Sequence, residues 1–280
     1  MIETRWPHHK VDFFICGVQK GGTTALDNFL RRHPGVQMAG KKETHYFDNE
    51  TENWVSPNYE KLHKHYDWSQ TGVKRGEATP ISIFWPPSLE RIHSYNPNAR
   101  LVVLLRHPTF RAYSHWRMMV AFGSESLAFT DAISNKGRRR IVSPTSSENR
   151  QYSYIERGLY SGQISRLLKL FGRQQILFLK TDDLWLDPNH ILRLCESHLS
   201  LESQMNEQVQ REYIIPETPV VEDKIPEDAK SFLNELFRDD MVETQKLTGL
   251  DFQEWFSADF EERQSTVGVH VHIGKSARPA

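Results

Sequence analysis

Gly17-Val18-Gln19-Lys20-Gly21-Gly22-Thr23-Thr24 is a segment whose residue types and spacing suit an anion. Glycines let a backbone curl so that several N–H groups point inward. A helix starting where the curl ends adds free donors and a partial positive charge. The spacing approaches the nucleoside-triphosphate loop G-x-x-x-x-G-K-[ST], but Thr23 stands where that loop has its lysine. The lysine is at position 20 instead, inside the loop. A triphosphate loop sets its lysine on the outer phosphates and its hydroxyl on magnesium, whereas Lys20 would reach a shorter anionic group from the side. The same segment also reads as a tight strand-to-helix turn that binds nothing.

A second cation follows the apolar run Leu101–Leu105, in Arg106-His107-Pro108-Thr109-Phe110-Arg111-Ala112-Tyr113-Ser114. This order places Arg106 at the carboxyl end of a strand, on the same sheet edge as the glycine loop. A guanidinium with the Ser114 hydroxyl makes a phosphate clamp. Alone, Arg106 reads equally well as a structural ion-pair residue. The two segments together describe a site for a ligand with two separated anionic groups.

The elements that must position these residues alternate between strand and helix, the pattern of an α/β domain with a central parallel sheet. Val11–Cys16 is the first buried strand and Thr23–Arg32 the helix after it, with Leu26, Phe29 and Leu30 on one face. Leu101–Leu105 has no alternation, as expected of a strand covered on both sides. Pro108 opens the next helix, with Tyr113, Trp116 and Val120 toward the core. Further helices are expected over Tyr160–Phe171, from Pro188 behind an Asp187 cap to about Leu199, and from Pro226 to near Gly249, with a strand at Ile176–Leu179. Residues 134–150 carry Lys136, Arg138, Arg139 and Arg140 and read as a mobile basic loop, and 263–280 as a tail. No repeat or linker divides the 280 residues, so a single domain with a core of about 11–256 is expected.

Composition narrows the partners. Hydrophobic residues at 38%, charged residues at 25% and a formal charge of −1 argue against a disordered chain and a polycationic nucleic-acid binder. No apolar run approaches the ~18 residues of a membrane span, and Met1–Lys10 lacks the apolar stretch of a signal peptide. Cys16 and Cys195 are too few for a disulfide framework and read as small core residues. The expectation is a cytoplasmic protein binding neither membrane nor nucleic acid.

With Lys42-Glu43-Thr44-His45-Tyr46-Phe47 added to these two segments, the chain resembles the sulfotransferases that use 3′-phosphoadenosine 5′-phosphosulfate. The Lys-Glu-x-His-aromatic-Phe run is similar to their heparan sulfate and bacterial branch. Gly76-Glu77-Ala78-Thr79-Pro80, Gly158-Leu159-Tyr160 and Leu247-Thr248-Gly249-Leu250-Asp251-Phe252 with Trp255 extend the likeness to most of the chain. The resemblance implies a P-loop-like fold, this nucleotide as sulfuryl donor, and transfer without a metal. It implies that Lys20, Gly21, Gly22, Thr23 and Thr24 hold the 5′-phosphate and that Arg106 and Ser114 hold the 3′-phosphate. Lys20 would stabilise the leaving group and Glu43 would act as general base. His45 would support Glu43, contact the acceptor or share the base role. Arg157 and Tyr160 are further candidates for contact with the nucleotide.

Glu43 also reads as a surface carboxylate paired with Lys41 or Lys42, and His45 as a satisfied histidine beneath Tyr46 and Phe47. Two departures bear on the acceptor. Ala78 stands where glycan-modifying members often have lysine, and 220–225 lacks their Lys-Gly-Arg loop, leaving Lys224 as the candidate substitute. A small natural product or a carrier-bound acyl chain is therefore the expected acceptor, in a bacterial biosynthetic setting. The basic run at 138–140 reads as a solvated loop or as a lid over an anionic acceptor. Trp54, Trp68 and Trp85 are candidates for the acceptor cleft, and His270-Val271-His272 reads as tail without a metal role. A P-loop nucleotide kinase and a nucleotide-binding protein without activity are the competing functions.

Overall fold

Two strands with apolar side chains on both faces organise the sheet. In the computed structural model, which describes residues 9–203 and 224–262, β1 (Phe13–Gly17) and β4 (Arg100–Leu105) lie side by side at its centre. Phe13 and Ile15 of β1, with Val102 and Leu104 of β4, face one hydrophobic layer. Phe14 and Cys16, with Leu101, Val103 and Leu105, face the other. This use of both faces is why neither strand shows polar alternation.

The remaining strands are β2 (Val36–Met38), β3 (Lys74–Ala78) and β5 (Ile176–Lys180). All pairings are parallel, in the order β2-β3-β1-β4-β5. From β1 the chain goes to the edge strand β2, comes inward with β3 beside β1, and then crosses to the other side of β1 with β4 and β5. The crevice beyond the carboxyl ends of β1 and β4 is thus the point where strand order reverses, the usual ligand position in an open α/β sheet.

The helices are α1 (Thr23–Arg31), α2 (Glu60–His63), α3 (Ser88–Tyr95), α4 (Pro108–Ala121), α5 (Phe129–Ile133), α6 (Asn135–Arg138), α7 (Ser147–Tyr152), α8 (Tyr160–Leu170), α9 (Thr181–Leu186), α10 (Pro188–Leu199) and α11 (Glu227–Thr248). Helices α1, α9 and α10 cover one face of the sheet, and α3, α4, α8 and α11 the other. Asp187 caps α10 through the His190 N–H at 2.9 Å, with Pro188 in its first turn, and Gly249 ends α11 at φ 74°. No described helix is long and apolar enough to cross a membrane.

Strands β2 and β3 have no counterpart in the hydrophobic pattern. Lys74 and Arg75 open β3 half-exposed, Arg75 stacking its guanidinium on Trp68 at 4.5 Å. Residues 134–150 depart from the mobile basic loop that their composition suggests. They contain α6 and the start of α7; Arg138 pairs with Glu156 at 2.8 Å, and Arg140 grips Glu125 at 3.0 and 2.8 Å. Of Lys136, Arg138, Arg139 and Arg140, only Lys136 and Arg139 are exposed. Residues 220–223 and 263–280, including His270 and His272, lie outside the described residues.

Candidate active site

The glycine loop joins β1 to α1. Val18 N–H donates to Leu104 O at 3.0 Å, and Gly21 N–H donates back to Val18 O at 2.9 Å, closing the curl against β4. Gly21 N–H is therefore engaged within the loop, a correction to its expected role as an anion donor. Gly21 is glycine because a Cβ there would lie 2.5 Å from Leu104 O. Gly22 takes the left-handed conformation, φ 87°, and begins α1 as its N-cap. Thr23 is buried, while Thr24 is exposed in the first turn. The Thr181 hydroxyl, 2.7 Å from Gly21 O and 3.0 Å from Leu105 O, ties the loop to the end of β4.

Cations gather at this edge. Lys20 projects from the loop at φ 67°, its ammonium 3.8 Å from Met118 Sδ. Burial, helped by the Arg106 charge, lowers its pKa to about 8. Arg106 donates to Lys20 O at 2.9 Å and is braced by the Tyr160 hydroxyl on its own carbonyl at 2.8 Å. Arg111, one turn into α4, is fully buried and donates to Tyr154 O, while its Nε and Nη1 have no protein partner. Burial lowers its pKa to about 10. Buried guanidinium donors of this kind are rarely left unmet without an anion to receive them.

Arg106 already holds one anion. Both oxygens of Glu262 sit on its guanidinium, at 2.6 Å from Nε and 2.5 Å from Nη2. A carboxylate with the fork geometry of a bound oxyanion thus stands beside the glycine loop.

The loop after β2 supplies the carboxylate. Glu43 N–H donates to Ala78 O at 3.1 Å, and the buried Glu77 accepts from Thr44 N–H at 3.2 Å and from the Thr44 and Thr79 hydroxyls at 3.1 and 2.5 Å. These bonds fix Lys42–His45 against the end of β3. Lys42 reaches Glu43 Oε1 at 2.6 Å, and His45 Nε2 lies 3.4 Å from Glu43 Oε2. His45 Nδ1 is 2.8 Å from Asp48 Oδ2, an oxygen that Arg150 also contacts. Burial acts to raise the Glu43 pKa, but His45 and Lys42 together overcome it and hold the carboxyl at about 2. Asp48, then Glu43, raise His45 to about 9. The pair is an ionised carboxylate backed by an imidazolium, and Glu43 is close enough to act on the Lys20 charge.

Four described non-glycine residues have a left-handed backbone, and three are Lys20, Glu43 and His45. Such conformations carry strain, which folded chains retain where a side chain must be aimed. The structure therefore brings Lys20, Arg106, Glu43 and His45 to one sheet edge, with Gly22, Thr23 and Thr24 at the helix start.

Other expected residues fall differently. Ser114 is half-buried on α4. Tyr160 is buried, its hydroxyl engaged by Arg106, so it braces the site from behind. Arg157 is likewise buried, donating to Ser153 Oγ at 2.8 Å, Arg150 O at 2.6 Å and the Gln19 side chain, and so supports the glycine loop. Lys224 is exposed, with its carbonyl receiving the Tyr113 hydroxyl at 3.0 Å. Trp85 is buried with its indole N–H on Glu50, and Trp54 and Trp68 pack on the hydrophobic core, which removes Trp85 from any acceptor cleft. Asp48, Arg111, Arg150, Glu77 and Glu262 are the site residues that sequence reasoning missed. The acidic residue three positions after His45 was the available signal for Asp48. Arg150 and Glu262 had none, because long-range folding alone brings them there.

Comparison with known proteins agrees with this geometry. Residues 10–214 match the family model described as sulfotransferase domain. Heparan sulfate glucosamine 3-O-sulfotransferase 5 of Mus musculus is 29% identical over 194 residues, covering 69% of this chain and 54% of that protein. Heparan sulfate glucosamine 3-O-sulfotransferase 6 of Homo sapiens is 29% identical over 174 residues, covering 62% and 47%. The chain spans about half the length of these curated relatives. A sulfotransferase crystal structure from Alicyclobacillus acidocaldarius shares the fold with a TM-score of 0.72 at 24% identity, over 88% of this chain and 99% of that one. The match over residues 10–214, most of the chain, makes this protein a member of the sulfotransferase domain family.

Proposed function

We propose that the protein transfers the sulfuryl group of 3′-phosphoadenosine 5′-phosphosulfate to a hydroxyl, or an amine, of a small natural product or carrier-bound acyl chain. The observation that carries the reading is that one sheet edge holds both the Lys20 ammonium, inside the glycine loop, and the Glu43 carboxylate, which Lys42 holds at 2.6 Å and His45 at 3.4 Å. The residues fit the donor. The start of α1 offers donors for the 5′-phosphate, and Arg106 already accommodates an oxyanion in Glu262.

In the proposed reaction the acceptor oxygen attacks sulfur in line with the bridging oxygen of the donor. As the new S–O bond forms, Glu43 takes the acceptor proton, a role typically contributing ~10²–10⁴-fold. The bond from sulfur to the bridging oxygen breaks, and its electron pair leaves on the phosphate of adenosine 3′,5′-bisphosphate. Lys20 donates a hydrogen bond to that oxygen as its charge grows, which favours the transition state over the ground state. His45 holds Glu43 in place from Asp48 and keeps it ionised. Arg106, just past β4, and Ser114 on the following helix α4 seat the 3′-phosphate.

Residue 78 supports an acceptor other than a heparan-like glycan. Ala78 is buried in the sheet and its carbonyl receives Glu43 N–H, so the position presents no cation to a polyanion.

Thermal unfolding with adenosine 3′,5′-bisphosphate, AMP and magnesium-ATP tests the donor. A ligand at 100 times its Kd adds ~2.7 kcal/mol of apparent stability. The expected result is stabilisation specific to the bisphosphate and lost in Arg106→Ala, followed by transfer of labelled sulfate to acceptors. Stabilisation by magnesium-ATP alone would sink the reading in favour of a kinase.

A further inference from the structure

We infer that Glu262 is a built-in competitor for the donor's 3′-phosphate, carried on a C-terminal strap that must lift from Arg106 for the nucleotide to seat and that returns as the bisphosphate product leaves. The inference rests on the reading of Arg106 as the seat of that phosphate.

The strap is anchored as well as charged. It leaves Trp255, whose ring is buried against Phe252 at 4.3 Å and whose N–H donates to Asp182 at 2.9 Å. Phe260 then stacks on His107 at 5.0 Å and meets the Phe110 ring edge-on at 5.8 Å, next to Arg106 in sequence. Two consecutive acids follow. Glu261 pairs with Lys230 of α11 at 2.6 Å, and Glu262 takes the Arg106 fork. The second pair is sheltered, with 20% of the Arg106 side chain and 14% of the Glu262 side chain exposed, so solvent screens it less than an open surface pair.

A carboxylate offers the guanidinium one negative charge and two oxygens. A phosphate monoester offers up to two charges and three oxygens, so it can displace the carboxylate but must first break the pair. The apparent Kd is then the intrinsic Kd divided by the fraction of molecules with the strap lifted. A ligand lacking the 3′-phosphate leaves Arg106 and Glu262 as they are. The device therefore weakens only 3′-phosphorylated nucleotides, donor and product alike, and assists release of the product that Arg106 would otherwise retain.

Calorimetric titration of the full chain tests this, using adenosine 3′,5′-bisphosphate and AMP against the wild type, Glu262→Gln and Phe260→Ala. Glu262→Gln should bind the bisphosphate roughly tenfold more tightly, as expected for a strap docked about nine-tenths of the time, with AMP affinity unchanged. Phe260→Ala, which unpins the strap without altering charge, should shift bisphosphate affinity the same way. Equal or weaker bisphosphate binding in Glu262→Gln, with the preference over AMP intact in the wild type, overturns the inference and leaves the donor reading standing. If neither wild type nor variant distinguishes bisphosphate from AMP, the donor reading falls and this inference with it.

Discussion

Arg150 and His45 hold the same oxygen of Asp48. The imidazole Nδ1 is 2.8 Å from Asp48 Oδ2, Arg150 Nη1 donates to that atom, and Arg150 Nη2 also donates to Asp48 O at 2.8 Å. The guanidinium lies over the Trp85 ring at 4.1 Å, and the Arg150 carbonyl receives Arg157, which in turn holds Gln19. One residue thus links the glycine loop to the Asp48–His45–Glu43 chain.

Arg150→Met should raise the pKa of His45. The guanidinium is a like charge beside the imidazolium and shares its acceptor oxygen, so removing it favours the protonated ring. The expected NMR titration midpoint of His45 moves above about 9, its position in the parent structure. A fall toward the ordinary 6.5 would show instead that Arg150 matters by holding Asp48 in place.

The parts of this molecule legible in its sequence are the local ones. Strands β1, β4 and β5 announce themselves as apolar runs, and the glycine loop and Arg106 each lie next to a strand end. Strand β3 hides because Lys74 and Arg75 begin it and Glu77 is buried near its end, stabilised by threonines rather than by apolar neighbours. Charge misleads at 134–150 for a related reason: Arg138, Arg140 and Arg150 find carboxylates elsewhere in the fold. Arg106 meets Glu262 across 156 positions, and Arg150 meets Asp48 across 102. No periodicity or motif encodes contacts that only the closed fold creates.

Binding of adenosine 3′,5′-bisphosphate should weaken above pH 8. Lys20 has its pKa lowered to about 8 in the free protein, so its charge is present below that pH and lost above it. An anionic ligand favours the protonated lysine, and affinity that depends on that proton falls by ~tenfold per pH unit beyond the pKa. Titrations from pH 6.5 to 9.5 should show this slope in the wild type and a weaker but flat response in Lys20→Met. A wild-type profile as flat as the variant's would remove Lys20 from the phosphate site.

Gly21→Ala and Gly162→Ala should act in opposite directions. A Cβ on Gly21 meets Leu104 O at 2.5 Å and Val18 O at 2.9 Å, backbone atoms that cannot turn aside. The loop has to shift, at about 1–3 kcal/mol of stability and with loss of bisphosphate binding. Gly162 lies within α8, and a Cβ there meets nothing within 4 Å. Alanine at that position should stabilise the protein by roughly 0.5–1 kcal/mol, with nucleotide affinity unchanged. Denaturant midpoints and calorimetric titrations of the two variants check both halves.

Glu77→Gln should be tolerated where Glu77→Ala is not, and its benefit should depend on pH. The three donors from Thr44 and Thr79 converge on one oxygen, Oε1, which glutamine retains. Alanine leaves the Thr44 N–H beneath Glu43 without its acceptor, at about 1–3 kcal/mol. Burial raises the Glu77 pKa to about 7 from an ordinary 4.5. Between those values the unfolded chain has released a proton that the folded chain keeps, so the carboxyl makes the wild type progressively less stable as pH rises from 4.5 to 7. Glutamine carries no such proton. The melting temperature of Glu77→Gln relative to wild type should therefore climb through that interval and level off above it. A constant difference from pH 4.5 to 8 would mean that Glu77 is already ionised in the folded protein, its charge balanced by the threonine donors.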